Sequence, residues 1–520
     1  MTWILVGAAV AGTSELWGVS GELWEPSGRL PDFSSAGYRA GQEPPSEPVS
    51  ASVLDFGAIP DDGQDDSAAF QAAIDATTGV LEIPAGTYVI DAVLHINHGD
   101  LVLRGSGPEQ TTLSFPSALT DLEGAAAQWS WNGGLIWIAP PETGSALTTV
   151  EPALRGDTRL SVGDTTGLQD GQLVELRLDD DEDRSLGWHL HNDQEAPGDC
   201  DYQVPLSMDW PVRIARVIDA QTVELQQPLR LDIRAEWSPQ LYSLPALSEI
   251  GVEGLTLAFP PDQEYPGHLD ERGYNGIFLD GGVVDAWFQD LVFRDADNGL
   301  LVDQRSKHIT ARRLRFEGRM GHHGFNVAHA HDGLFADVHY AADYFHSVTV
   351  DHRASGNVFM RFSAEPGLEL ELDHHRDSPF ENLWTAFSAP HNLVNGGNFC
   401  AGSPGGARNT VWGMAGPTIP PYWDHVQTNV IGLIDEDTLS LTADQEWLEP
   451  VEDLRPRNLY LAQRALQAGE PYVDTGLQDT GTPTAPDPQG CGGCGGSAPL
   501  PGVLALLLGL VALRRATPAD

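Results

Sequence analysis

Asn275-Gly276-Ile277-Phe278-Leu279-Asp280 is written again 23 residues later as Asn298-Gly299-Leu300-Leu301-Val302-Asp303. It returns as His323-Gly324-Phe325-Asn326-Val327-Ala328, as His346-Ser347-Val348-Thr349-Val350-Asp351 and as Leu368-Glu369-Leu370-Glu371-Leu372-Asp373. Two apolar positions two apart, such as Ile277/Leu279 and Val348/Val350, give each copy the single buried face of a strand. A second register lies between the copies: Phe288, Leu291 and Phe293 recur as Ala311, Leu314 and Phe316, then as Ala336, Val338 and Tyr340. A third reads Asn357-Val358-Phe359, Asn382-Leu383-Trp384 and Asn409-Thr410-Val411-Trp412. Several short strands per repeat, with no useful helical segment between them, predict a coil of strands from Tyr274 to Trp412. Each turn of such an all-β solenoid buries its apolar face against its neighbours, ~4.8 Å away. Asn275 with Asn298, and Asn357 with Asn382 and Asn409, read as ladders whose amides bond from turn to turn.

Upstream, Val53-Leu54-Asp55-Phe56-Gly57-Ala58 leads through Asp61-Asp62-Gly63-Gln64-Asp65-Asp66 to a predicted helix over 67–76. Ser67 or Asp66 can cap it, and Phe70, Ala73 and Ile74 form its apolar stripe. Val80-Leu81-Glu82-Ile83 and Leu101-Val102-Leu103-Arg104-Gly105 follow as strands. This run resembles the opening of the pectate-lyase-like, right-handed parallel β-helix superfamily. The resemblance implies a single-stranded, right-handed parallel β-helix whose open first turn is covered by a capping helix. It implies nothing about the reaction.

The remaining organisation follows composition. Residues 1–12 are a signal-like apolar segment ending in Ala9-Val10-Ala11, and 13–50 are an extended arm carrying Trp17, Trp24 and Tyr38. Residues 51–146 hold the cap and the first turns. Residues 147–245 read as a small all-β insertion, from the alternation in Arg159–Val162, Leu173–Leu178, Val212–Val217 and Val223–Leu225. The main coil occupies 246–460, and a linker 461–490. In 491–520, Cys491-Gly492-Gly493-Cys494 precedes an apolar run from Gly502 to Leu513 and then Arg514-Arg515. The run is shorter than the ~20 residues that span a bilayer. This layout resembles the surface-sorting tags of myxobacteria, the MYXO-CTERM type, which implies attachment to the cell envelope at the cysteine motif. A simple C-terminal anchor is the other reading, and both place the body outside the cytoplasm. Cys200 and Cys400 can pair in an oxidising compartment, and the sequence leaves that open.

The balance of 28 basic against 75 acidic residues, a formal charge of −47, excludes a general nucleic-acid binder. Seven of those 28 basic residues, Arg294 to Arg319, fall within 26 residues. Arg312 and Arg315 in this strip are candidate contacts for an anionic substrate. The competing reading is a solvated face balanced by Asp295, Asp297, Asp303 and Glu317. Asp179-Asp180-Asp181-Glu182-Asp183 reads as a solvated charge run, with a Ca²⁺ loop as the alternative.

Nine of 17 histidines lie between His322 and His375. Repeat spacing stacks His323 between Asn298 and His346. A step of 22 stacks Asp351 with Asp373, and His352 with His374. The two ends of the strand then stand ~17 Å apart, too far to work on one bond. His323 and His346 share the parity of Ile277 and Val348, so they either continue the inner ladder or act in catalysis. Asp280, Asp303, Asp351 and Asp373 have outward parity, and a carboxylate column can form an acid/base pair or hold Ca²⁺. In Asp373-His374-His375-Arg376, Arg376 can grip a uronate carboxylate and either imidazole can carry a proton. The candidate catalytic residues are Asp351, Asp373, His374, His375, Arg376, His323 and His346. The candidate substrate contacts are Asp303, Arg312, Arg315, His322 and His352. No metal-ligand set and no cofactor is assigned, Ca²⁺ being the ion the carboxylates would suit.

Gly321-His322-His323-Gly324 resembles the Gly-His-Gly of polygalacturonases. Their Asn-Thr-Asp and Arg-Ile-Lys motifs are missing, and Asp295-Ala296-Asp297 is a partial counterpart of their paired aspartates. The stretch from Gly321 to Trp412 resembles a bacterial subgroup of these β-helix proteins. The expectation is an exported, envelope-attached carbohydrate-active protein that cleaves an acidic polysaccharide as a lyase or a glycosidase. The alternative is a non-catalytic glycan-binding or adhesive surface protein.

Overall fold

The computed structural model describes residues 12–140, 144–194, 206–395, 405–414, 426–432 and 446–474. All four cysteines, most of the signal-like segment and the C-terminal apolar run lie outside the described residues. Among the described residues no helix is long and apolar enough to cross a membrane.

The chain winds as a right-handed parallel β-helix. One sheet of eight strands rises turn by turn from Leu94–Ile96 through Ile136–Ile138, Asn275–Leu279, Asn298–Val302, Gly321–Ala328, Tyr344–Asp351 and Leu370–His374 to His391–Asn395. It is called the groove sheet below. A long sheet of fifteen strands forms the rest of the wall and includes Val283–Arg294, Lys307–Glu317, Leu334–Tyr340 and Val358–Ala364. The predicted column is present: Asn275 pairs with Asn298, Asn298 with His323, and His323 with His346. Asn298 Nδ2 donates to Asn275 Oδ1 at 2.7 Å, and Asn357 Nδ2 to Asn382 Oδ1 at 3.0 Å, so both asparagine ladders form. The second and third sequence registers belong to one sheet, since Phe335 pairs with Phe359. Ala311 therefore faces Phe335, not Ala336.

The long sheet turns a corner at Asp290, Arg313, Asp337 and Arg361, whose φ values are 56°, 54°, 58° and 57°. Left-handed backbone costs a non-glycine residue ~1 kcal/mol or more. Here the strain is offset by ion pairs between successive turns: Arg313 Nε lies 2.7 Å from Asp290 Oδ1, and Arg361 Nη2 2.6 Å from Asp337 Oδ2. Inside the coil aromatic rings stack along the axis, with Phe293, Phe316 and Tyr340 at centroid spacings of 5.2 and 4.8 Å.

The capping helix spans Ser67–Ala76 and buries Phe70, Ala73 and Ile74 over the first turn. Its first free amide is satisfied by Asp65 Oδ1, which accepts from Ser67 N at 2.9 Å, in place of the predicted Asp66 or Ser67 cap. Between Ala146 and Ser243 lies a six-stranded antiparallel sheet with its own core around Trp210 and Trp237. The acidic loop at its edge serves the short helix Ser185–Leu190: Asp181 Oδ1 accepts from Ser185 N at 2.9 Å and Asp180 Oδ1 from Leu186 N at 2.8 Å. The predicted linker begins too early, because Leu459–Ala468 is a helix capped by Asn458 Oδ1. It packs with Trp17, Trp24 and Phe33 of the N-terminal arm against Val358, Met360 and Trp412, covering the outer face of the long sheet.

Candidate functional site

A glycine follows the ladder residue in three successive strands. A Cβ on Gly299 would sit 2.6 Å from Gly324 O and run into Phe316; one on Gly324 would sit 2.6 Å from Ser347 O and run into Tyr340. These glycines take the inward place against the aromatic stack. The column Asn275–Asn298–His323–His346 therefore turns away from the core, and His323 and His346 face the groove. Parity counted from Ile277 fails because it holds only along an uninterrupted strand.

A second correction concerns register. Thr349 pairs with Asp373 and Val350 with His374, a step of 24, where 22 was expected. Sliding by two residues keeps every side chain on its face, so the apolar pattern cannot distinguish the two registers. Asp373 consequently stands beside His346 instead of beside Asp351. His374 falls in the inward column, fully buried, with Trp384 Nε1 donating to its Nε2 at 3.4 Å. Burial pushes its pKa down to about 3, and it lines the core, not the groove.

The structure brings the other histidines together. His322 and His323 stack at 4.0 Å, and His323 and His346 at 5.2 Å. His346 Nδ1 lies 3.4 Å from Asp373 Oδ2, and the same oxygen holds His375 Nδ1 at 2.7 Å. His323 Nδ1 meets Thr349 Oγ1 at 3.1 Å. Next to this set, Asp351 Oδ1 holds His352 Nδ1 at 2.8 Å, and Arg376 Nε lies 3.7 Å from the same oxygen. The two ends of the strand thus form one continuous site. Asp303 sits at its edge, near enough to feel the charges of Asp351, His352 and Asp280, and burial raises its pKa to about 6. Arg312 and Arg315 are not part of the site. They lie on the long sheet, where Arg312 pairs with Glu43 at 2.7 Å and Arg315 with Glu317 at 2.8 Å.

Electrostatics divides the imidazoles. Burial, reinforced by His346 and His268, pushes His322 down to about 2. Burial, and then the neighbouring His322 and His346, hold His323 well below the ordinary range. Burial also opposes charge on His375, but Asp373 and then Asp351 outweigh it and raise the pKa to about 9. Asp351 is held below the usual carboxylate value because His352, His375 and Arg376 overcome its burial.

Sequence reasoning missed the connection between Ala258 and Asn275, which lies against the histidines. It supplies His268, 4.8 Å from His322 and stacked on the exposed Phe345 at 4.3 Å. It also supplies Glu271, which accepts from Tyr265 Oη at 2.6 Å and Ser130 Oγ at 2.5 Å and lies 3.2 Å from His322 Nδ1. The length of this connection and its Tyr, His and Glu were the available signal.

Fold and site define a parallel β-helix with an imidazole-lined, carboxylate-backed groove. Residues 50–137 match the family model described as "Rhamnogalacturonase A/epimerase, pectate lyase-like". No curated protein matches the sequence. Similar solved structures include the tailspike gp61 of Pseudomonas phage phi297, at 12% identity over 75% of this chain and 64% of that one, TM-score 0.48. The chain thus spans less than two thirds of that tailspike. They also include the tailspike gp49 of Pseudomonas phage LKA1, at 12% identity over 78% and 81%, TM-score 0.45. A third is the A-module of the Azotobacter vinelandii mannuronan C-5 epimerase AlgE6, at 13% identity over 78% and 86%, TM-score 0.37.

Proposed function

We propose that the groove binds an acidic polysaccharide and cleaves it by β-elimination next to a uronate carboxylate. The carrying observation is a pair of Asp–His dyads, Asp373–His375 and Asp351–His352, at 2.7 and 2.8 Å, with Arg376 beside them. In each dyad the carboxylate is the buried partner and the imidazole the more accessible one, at 20% for His375 and 24% for His352. The carboxylates therefore orient the rings, and the rings meet the substrate. Arg376 neutralises the uronate carboxylate and stabilises the charge that grows on it as the α-proton leaves. His352 Nε2 takes that proton, the pair of the broken C5–H bond forms the C4–C5 double bond, and the C4–O bond breaks with its electrons leaving on oxygen. His375, held protonated by Asp373, gives its proton to the departing oxygen. The family described for residues 50–137 names a rhamnogalacturonase and an epimerase, which supports carbohydrate as the substrate class.

A second reading rests on Asp303 and Asp351. Their environments drive their pKa values apart, one up to about 6 and one below its usual value, the division of labour of a hydrolytic acid/base pair. Incubation with a panel of polyuronates, following ultraviolet absorbance of unsaturated ends beside a reducing-end assay, separates the two. Unsaturated ends are expected. New reducing ends without unsaturation would favour the hydrolytic pair. Binding without either product would make the protein a glycan-binding surface protein.

A further inference from the structure

We propose that His268, His322 and His346 form a binding site for one divalent transition-metal ion of the zinc class. One ligand nitrogen from each of the three lies within 4.8 Å of the others. They converge from separate parts of the coil: the connection after Ala258, the strand Gly321–Ala328 and the strand Tyr344–Asp351. Three imidazoles converging in this way are a donor set for zinc and its neighbours. Ca²⁺, which selects oxygen, is a poor match for it.

Two independent observations point the same way. His322 and His346 are 2% and 5% exposed, and Nε2 of His322, the nitrogen turned away from Glu271, is left without a well-formed hydrogen bond. Buried polar atoms are seldom left so without a ligand to meet them. Secondly, a carboxylate stands behind each of these two rings: Glu271 Oε1 is 3.2 Å from His322 Nδ1, and Asp373 Oδ2 is 3.4 Å from His346 Nδ1. A carboxylate behind a ligating imidazole fixes the ring and raises its basicity as a ligand. Glu271 is itself pinned by Tyr265 and Ser130, so the backing is rigid. A second set, His346 with Asp373 and His375, shares His346. In that set Asp373 Oδ2 and His375 Nδ1 already bond each other, which leaves the three-histidine set as the better receptor.

The site does not depend on the elimination reading, and its test uses no glycan. The chelator-treated full chain is titrated with Co²⁺ and Zn²⁺, by visible absorption and by calorimetry, with Ca²⁺ as the comparison. One Co²⁺ per chain with the strong bands of a four-coordinate ion is expected, displaced by Zn²⁺. His268→Ala, on an exposed connection where folding is not at stake, weakens binding at least about 10-fold. Glu271→Gln weakens it by about 10- to 100-fold. His322→Ala abolishes it, with circular dichroism confirming the fold. Absence of one-to-one binding, a preference for Ca²⁺, or unchanged affinity in His268→Ala and Glu271→Gln would overturn the proposal. Metal binding by a chain that cleaves no polyuronate would support it and sink only the elimination reading.

Discussion

The groove and the seam beneath the antiparallel insertion are both crowded with buried charge, and they are built in opposite ways. In the seam each charge has its counter-charge. Lys307 Nζ lies 2.9 Å from Asp332 Oδ2, Arg230 Nη1 3.2 Å from Glu381 Oε2, and Arg155 and Arg408 each 2.8 Å from Glu381 Oε1. Arg230 also pairs with Asp332. In the groove the buried groups are imidazoles set against carboxylates, His346 and His375 on Asp373 and His322 on Glu271, with no Arg or Lys among the described residues locked into the pairing. Permanently charged groups locked in pairs hold one body against another, whereas imidazoles, whose charge can change, are suited to exchange protons or meet a ligand. The first kind is expected to move stability and leave chemistry alone, the second the reverse.

The largest effect tests the groove. His375→Ala and His352→Ala are each expected to lower turnover of a polyuronate by about 10²- to 10⁴-fold, the usual range for a lost proton carrier. Thermal unfolding should move less than in the seam variants below, because His346 remains beside Asp373 and Arg376 beside Asp351. An equal fall in melting temperature and turnover would erase the contrast with the seam. Arg376→Ala is expected to raise KM as well as lower kcat, because it holds the substrate carboxylate throughout.

The seam is expected to respond in the opposite sense. Arg230→Ala leaves Asp332 and Glu381 partly unmatched in a buried setting, a loss of about 3–5 kcal/mol. Burial opposes the charge on Glu381, but Arg155, Arg408 and Arg230 prevail and lower its pKa from 4.5 to about 2. A depressed folded-state pKa contributes stability above the unfolded value, and that contribution disappears as the pH falls from 4.5 towards about 2. Acid titration followed by circular dichroism should show this step in the native chain and not in Glu381→Gln, which starts less stable at neutral pH.

Asp303 gives a smaller effect of opposite sign. Its folded pKa is raised from 3.8 to about 6, so the fold prefers it protonated. That preference is fully present below 3.8 and is lost as the pH rises through about 6. Asp303→Asn should therefore stabilise the protein at pH ~7 by about 1–2 kcal/mol, and by nothing near pH ~3. If Asp303 is instead the acid of a hydrolytic pair, the same variant loses turnover, which makes it the sharpest single test between the two reactions.

How far the sequence reaches can be judged from these same residues. The copies of Asn275–Asp280 specify winding, ladder and core, because a buried apolar pair repeated at a fixed step has one economical solution. The site was half legible. The histidine column followed from the repeat, but its outward aim depended on glycines that must yield to the Phe293–Phe316–Tyr340 stack, which no count of parity contains. Asp373 was placed two residues out of register because Leu368, Leu370 and Leu372 offer the coil the same face either way. The Asp373-His374-His375 run itself carried the alternation that sends His374 inward, and that signal was readable. The approach of His268 and Glu271 to the histidines was not, since a connection without periodicity says nothing about where it crosses.

The smallest expected effect is the most discriminating about electrostatics. Seven basic residues gathered within Arg294–Arg319 look, in one dimension, like a landing strip for an acidic polymer. In three dimensions Arg312 and Arg315 sit on the long sheet, already opposed by Glu43 and Glu317 at 2.7 and 2.8 Å, while the imidazoles line the groove sheet. Arg312→Ala and Arg315→Ala should leave kcat/KM for a polyuronate unchanged within about twofold, and stability within ~0.5–1 kcal/mol, as for partly exposed ion pairs. Their charges act at the groove only at long range, where salt at ~0.1 M screens beyond ~10 Å. A tenfold rise in KM for either variant, measured at that ionic strength, would mean that the polymer wraps from the groove onto the long sheet. The basic strip would then be part of the binding track, with Glu43 and Glu317 as placeholders that the polymer's carboxylates displace.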